Sequence, residues 1–155
     1  MAPPHLLAFI RQHAIDAEFI APGVPMPTVS SAAAAIGVPE EQILKTLLFA
    51  SDGAFVVAIA NGTRRVDRKR LAEASGLARP RAASPDVVHD ITGYPAGGVA
   101  PIGLPDGLSV VVDTDVAALP SAYGGGGRED LLLRISPADI IRLNKALVRQ
   151  IVADS

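Results

Sequence analysis

Apolar positions along the chain fall into short blocks whose spacing switches between helical and extended periods. Pro3 and Pro4 precede Leu6, Leu7, Phe9 and Ile10, a single helical stripe with proline at its start. Ala17 to Ile20 predicts a short strand, and Pro22, Gly23, Pro25 and Pro27 a stiff loop after it. Thr28 or Ser30 is placed to cap a second helix through Ala32 to Ala35, and Gly37 to end it. Ile43 to Ala50 and Ala54 to Ala60 read as strands joined by the turn Ser51-Asp52-Gly53, an antiparallel hairpin. Their near-continuous apolarity predicts that both faces are covered. Asp67 can cap a helix running to about Ser75, with Gly76 just past its end.

Ser84-Pro85-Asp86 starts a short helix through Ile91. The stretch from Gly93 to Gly107 holds five glycines and three prolines, which break both periods and predict irregular backbone. Leu108 to Val112 is a buried-type strand ending at Asp113. Gly124 to Gly127 reads as a flexible turn before a strand from Leu131 to Ile135. Ser136-Pro137-Ala138-Asp139 resembles a capping box opening a final helix, with Ile140, Ile141, Leu143 and Leu147 on its apolar side. The pattern predicts an α/β chain of the α+β type: a mixed, largely antiparallel sheet packed with helices, and a helix at each end. With no internal repeat and no linker, residues 1–155 read as a single domain.

Composition narrows the function. A chain of 155 residues removes roughly 70% of its unfolded surface from water, so it needs no staple. With 49% hydrophobic and 19% charged residues the balance is globular. The absence of cysteine excludes disulfides, a thiol nucleophile and a cysteine metal site, and is compatible with a cytoplasmic setting. A net charge of -2 excludes a globally basic nucleic-acid binder, so any RNA contact must come from a local patch. No signal peptide is legible at the N-terminus, and the apolar runs fall far short of the ~20 residues needed to cross a bilayer. His5, His13 and His89 are scattered, so no metal site is expected. No nucleophile elbow is present.

Three features carry candidate chemistry, each with two readings. Lys45 is a lone charge inside Ile43-Leu44-Lys45-Thr46-Leu47-Leu48-Phe49. It is either an edge-strand lysine snorkelling to water or a cation lining a cleft, where reduced solvation strengthens its hold on phosphate or carboxyl oxygen. Gly97 and Gly98, set between Pro95 and Pro101, form either a tight connection or a bare backbone that approaches a ligand closely. Arg64, Arg65, Arg68, Lys69 and Arg70 place five cations in seven residues. That cluster is either a solvated helix start or a phosphate-contacting patch. Asp113 ends a strand, a place for capping or for ligand orientation.

Taken in order, four segments resemble the YbaK/EbsC-type aminoacyl-tRNA deacylase family, the prolyl-tRNA editing or aminoacyl-tRNA synthetase-associated domain. They are Glu18-Phe19-Ile20 with Thr28-Val29-Ser30-Ser31-Ala32-Ala33; Ile43 to Phe49; Gly97-Gly98-Val99-Ala100-Pro101-Ile102-Gly103; and Gly124 to Gly127 with Leu131-Leu132-Leu133-Arg134-Ile135 and the final helix. The likeness covers nearly the whole chain. It implies a hydrolase acting in trans on mischarged tRNA, proline tRNA bearing a small wrong amino acid, in the service of translation fidelity. A non-catalytic module that binds tRNA or a synthetase is the alternative.

The resemblance also implies a site. Lys45, Gly97, Gly98 and Pro101 would carry the chemistry. Phe19, Thr28, Val99, Ala100, Asp113 and Gly125 would contact the aminoacyl end. Arg64, Arg65, Arg68, Lys69 and Arg70 would contact the tRNA. The implied partners are the acceptor end of aminoacyl-tRNA and a prolyl-tRNA synthetase, with no DNA, no membrane and no cofactor. Some relatives carry a histidine or hydroxyl residue where this chain has Gly124 to Gly127, and often Ser or Thr at Ala100. Those differences leave the amino acid unnamed.

Overall fold

The computed structural model describes residues 2–154. Six α-helices and eight strands are formed by them. The helices are α1 (Pro4–Gln12), α2 (Val29–Ile36), α3 (Arg68–Ser75), α4 (Pro85–Thr92), α5 (Thr114–Ala117) and α6 (Pro137–Asn144). The strands are β1 (Ala17–Ile20), β2 (Leu44–Ser51), β3 (Ala54–Asn61), β4 (Arg81–Ala82), β5 (Ser109–Asp113), β6 (Ala122–Gly125), β7 (Leu132–Ile135) and β8 (Leu147–Arg149).

Two sheets result. One is mixed, in the order β4-β2-β3-β5-β8, and the other is antiparallel, in the order β1-β7-β6. In the first, β2 pairs antiparallel with β3 and β4, while β3 with β5 and β5 with β8 run parallel. A single bridge between Ile43 and Tyr123 joins the two sheets at the entry to β2. The fold class is therefore the mixed α/β arrangement expected.

Strand alternation divides the core. Leu44, Leu48, Val57, Ile59, Val110 and Val112 face the larger cluster, together with Leu6, Leu133, Ile135 and Ile140. Phe49, Val56, Ala58 and Val111 face the other side, where Leu71 of α3 and Ile151 cover them. The predicted cover on both faces holds for most of the β2–β3 hairpin, with Leu47 on β2 left exposed. Among the described residues no helix is long and apolar enough to cross a membrane.

Several expectations need correction. The four-glycine run is not simply a turn: Gly124 and Gly125 belong to β6 and pair with Leu133 and Leu132. Ser136 caps no backbone group with its side chain. The last helix stops at Asn144, because Lys145 turns left-handed at φ 50°. Leu147 lies on β8 beside Val111 rather than on that helix. The described chain therefore ends on an edge strand and its tail, not on a helix.

Candidate functional site

A cavity of about 160 Å³ opens at the outer edge of β2, where this strand diverges from β6 before it meets β4. Four segments wall it: the loop and first turn at 26–32, Ile43 with the start of β2 to Leu47, the loop at 96–99, and the β6–β7 hairpin. Each is fixed locally. Thr28 caps α2 reciprocally, its Oγ1 accepting from the Ser31 N–H at 3.1 Å while the Ser31 Oγ accepts from the Thr28 N–H at 2.9 Å. Asn61 Nδ2 donates to the Glu41 carbonyl at 2.7 Å and the Gly62 N–H to the Ile43 carbonyl at 2.9 Å, which tie the start of β2 to the end of β3.

The 93–103 loop is anchored at both ends. Buried Tyr94 donates its hydroxyl to the Ile102 carbonyl at 2.9 Å, and burial raises its pKa well above the ordinary tyrosine range. Asn144 Nδ2 donates to the Pro101 carbonyl at 2.7 Å. Between these anchors the loop presses against the glycine run. A Cβ on Gly125 would lie 2.4 Å from the Val99 oxygen, and one on Gly98 would lie 2.5 Å from the Arg128 carbonyl carbon. The glycines are thus required by close backbone packing, which accounts for the missing polar side chain in this run.

Lys45 lies half-buried on the cavity wall and makes no ion pair among the described residues. Burial lowers its pKa below the ordinary lysine value, and the positive charge of Arg65 lowers it further. Thr46, next along the strand, also lines the cavity, and its Oγ1 is buried without a hydrogen-bond partner. Gly97 and Val99 line the cavity, and neither backbone N–H has a partner among the described residues. Glu129 stands across from the loop, its Cγ 3.1 Å from where a Gly97 Cβ would be.

The predicted residues divide accordingly. Lys45, Gly97, Val99, Thr28 and Gly125 come together around one cavity, although the Thr28 hydroxyl is already engaged in capping. Gly98 and Pro101 sit behind the wall. The Gly98 N–H donates to the Pro95 carbonyl, its own carbonyl accepts from the Gly127 N–H, and the Pro101 ring packs on Gly124. Ala100 is fully buried in the core, and Phe19 packs against the same core from β1. Asp113 is not at the cavity. Fully buried, it caps α5 at the Asp115 N–H, 2.9 Å away, and accepts from the N–H groups of Ile151 at 2.8 Å and Val152 at 3.3 Å.

Of the basic cluster, Arg64 pairs with Asp115 and Arg70 with Asp154. Both also donate to carbonyls of the C-terminal segment, those of Ala153 and Val152. These two are structural ties. Sequence reasoning passed over Thr46, Glu129, Met26 and Leu131, all of which line the cavity. Thr46 adjoins Lys45 and was legible by that adjacency; the others carry no local signal. No group of three or more His, Asp or Glu residues that could hold a metal ion occurs among the described residues.

A family model described as an aminoacyl-tRNA editing domain matches residues 24–143. Proline–tRNA ligase of Pelotomaculum thermopropionicum is 35% identical over 103 residues, 66% of this chain and 18% of the ligase. That of Nitratidesulfovibrio vulgaris strain Hildenborough is 33% identical over 114 residues, 72% of this chain and 20% of the ligase. The chain thus spans about a fifth of the length of these curated relatives. The crystal structure of hypothetical protein APE2540 superimposes with a TM-score of 0.88 at 32% identity, over 96% of this chain and 99% of that one. A proposed trans-editing enzyme for prolyl-tRNA synthetase shares the fold, with a TM-score of 0.86 at 24% identity over 99% of this chain and 100% of that one. The chain belongs to the aminoacyl-tRNA editing domain family.

Proposed function

We propose that this member of the editing family is a deacylase acting in trans, which hydrolyses the ester of a mischarged tRNA, with proline tRNA bearing a small wrong amino acid as substrate. The observation that carries the reading is the unpaired Lys45 ammonium sharing one small cavity with Val99 and the side-chain-free Gly97 and Gly125. An aminoacyl ester needs little further activation. Water bonds to the carbonyl carbon, the carbonyl oxygen takes up negative charge, the bond to the ribose oxygen breaks, and that oxygen leaves with a proton. Donors placed toward the developing oxyanion accelerate such a step, and positioning of the water supplies much of the rest. The unpartnered N–H groups of Gly97 and Val99 are suitable donors. Lys45 holds the carbonyl or the terminal nucleotide. A neighbouring ribose hydroxyl can pass the proton, so neither a protein nucleophile nor a cofactor is needed.

The likeness to proline–tRNA ligases supports the choice of proline tRNA, and a small cavity supports a small amino acid. The aminoacyl end is the partner at the cavity, and a prolyl-tRNA synthetase is the partner that would supply it. The test is deacylation of a panel of mischarged tRNAs by wild type and Lys45→Ala in parallel. Loss of one such donor is expected to slow the reaction by about 100-fold or more, with an unchanged melting temperature. Full activity of the variant on every substrate rejects the role of Lys45. Tight tRNA binding by a wild type that hydrolyses none of them selects a binding module instead.

A further inference from the structure

The cations of the 64–70 segment do not act as one patch. With Arg64 and Arg70 held by carboxylates, Arg68 and Lys69 remain exposed and without an ion pair among the described residues. They do not stand alone. Both line a cleft of about 360 Å³ with Arg79 and Arg81, which are likewise exposed and without an ion pair, over Ala72 and Pro80.

The fold builds this cleft with care for its walls. Asp67 caps α3 at the N–H groups of Lys69 and Arg70, which fixes the first turn. Gly76 ends the helix at φ 77°, and Arg79 is itself left-handed at φ 49°. The Ala78 carbonyl accepts from the Ser51 hydroxyl, and β4 then pairs Arg81 with Ala50 of β2. Four like charges from α3, β4 and the connection between them are brought together with no acidic residue in the lining, in a chain whose net charge is -2. Such crowding opposes folding unless an anion relieves it.

We propose that the cleft between α3 and β4, lined by Arg68, Lys69, Arg79 and Arg81, grips the phosphodiester backbone of the RNA whose aminoacyl end enters the cavity at Lys45. The inference rests on the function proposed above. Both sites use the same edge of β2. Lys45 and the Ala50–Arg81 pair are five residues apart, ~17 Å at the rise of an extended strand. Arg65, whose positive charge disfavours the charged form of Lys45, stands two residues before the Asp67 cap of α3, so it links the two regions along the chain. Guanidinium groups suit phosphate oxygens through paired donors. The cleft is open, and none of its charged lining residues is buried, so it fits a backbone passing through rather than a small enclosed anion.

The experiment compares wild type, Arg79→Gln/Arg81→Gln, and the control Arg11→Gln/Arg149→Gln, which removes equal charge from exposed positions elsewhere. Binding of an uncharged proline tRNA transcript is followed by fluorescence anisotropy across a salt series. Hydrolysis of a short aminoacyl-adenosine ester is measured beside it. The cleft variant is expected to bind more weakly, with a slope of log affinity against log salt flatter by about 1.4–1.8 for two lost phosphate contacts. The control keeps the wild-type slope, and all three proteins cleave the short ester equally. A cleft variant with the wild-type slope overturns the proposal, as does a control whose slope flattens as much. Failure of the deacylase reading shows separately, as a wild type that binds tRNA with the steep slope yet leaves the short ester intact.

Discussion

Thr46 is 7% exposed, borders the cavity beside Lys45, and leaves its hydroxyl oxygen without a partner. A buried hydroxyl without a hydrogen bond costs about 1–3 kcal/mol, so a fold under selection for stability alone would hold valine here. Thr46→Val is therefore expected to raise stability by about 1 kcal/mol in denaturant unfolding while lowering kcat/KM for deacylation. A variant that is both less stable and fully active would show that the hydroxyl serves packing only. The Lys45 ammonium is similarly poised. Burial and then Arg65 disfavour its charged form, so its pKa lies below the ordinary lysine value. If the protonated amine is the working form, activity falls as pH rises through that lowered pKa. Arg65→Gln removes one of the two causes, the pKa moves up, and the alkaline limb of the pH–rate profile moves to higher pH after subtraction of spontaneous ester hydrolysis. A limb that stays in place, or moves down, would detach Lys45 from the rate.

At the scale of elements, what was legible in the sequence is what local chemistry decides. Thr28, Asp67 and Ser84 each accept a hydrogen bond from the first turn of the helix they precede. Gly37 and Gly76, read as terminators, each end their helix in the left-handed conformation, and Gly93, read only as the start of irregular backbone, does the same for α4. Caps and terminators are properties of a few adjacent residues, so they survive without the rest of the chain. The hairpin of β2 and β3 was legible for the same reason. The elements that escaped are those with distant partners. Strand β8 exists because Leu147 to Arg149 lie parallel to Val111 to Asp113. β4 is two residues long and is defined only by Phe49 and Ala50. Strand β6 contains Gly124 and Gly125, poor strand formers that pair because β7 and the 97–101 loop hold them there. Asp113 was legible as a strand end, but its partners at Ile151 and Val152 were not, and they make it a buried tie for the C-terminal segment rather than a ligand contact.

At the scale of the molecule, the cavity exists only where two sheets meet. Lys45 arrives on the edge of the mixed sheet, Gly125 on the edge of the antiparallel one, and the 96–99 loop closes the gap between them. No stretch of sequence spells out such a junction, which is why Lys45 and Gly97 were recognisable singly while Glu129 and Leu131 were not. The junction tolerates no side chain at its closest point. Gly125 has ordinary negative-φ backbone, so alanine is conformationally acceptable there, yet its Cβ would meet the Val99 oxygen at 2.4 Å and the Gly98 carbonyl carbon at 3.0 Å. Both are backbone atoms, and the loop bearing them is pinned by Tyr94 and Asn144. Gly125→Ala must push the loop away from β6 or strain it in place, at a cost of about 1–3 kcal/mol. For a domain of this size each kilocalorie lowers Tm by about 2–4 °C, so a fall of several degrees is expected in a thermal melt. Deacylation assayed well below that Tm, where the variant remains folded, should still be impaired, because Gly97 and Val99 move with the loop while Lys45 stays with its strand. An active variant with a lowered Tm would mean that the catalytic geometry does not depend on how the loop meets β6.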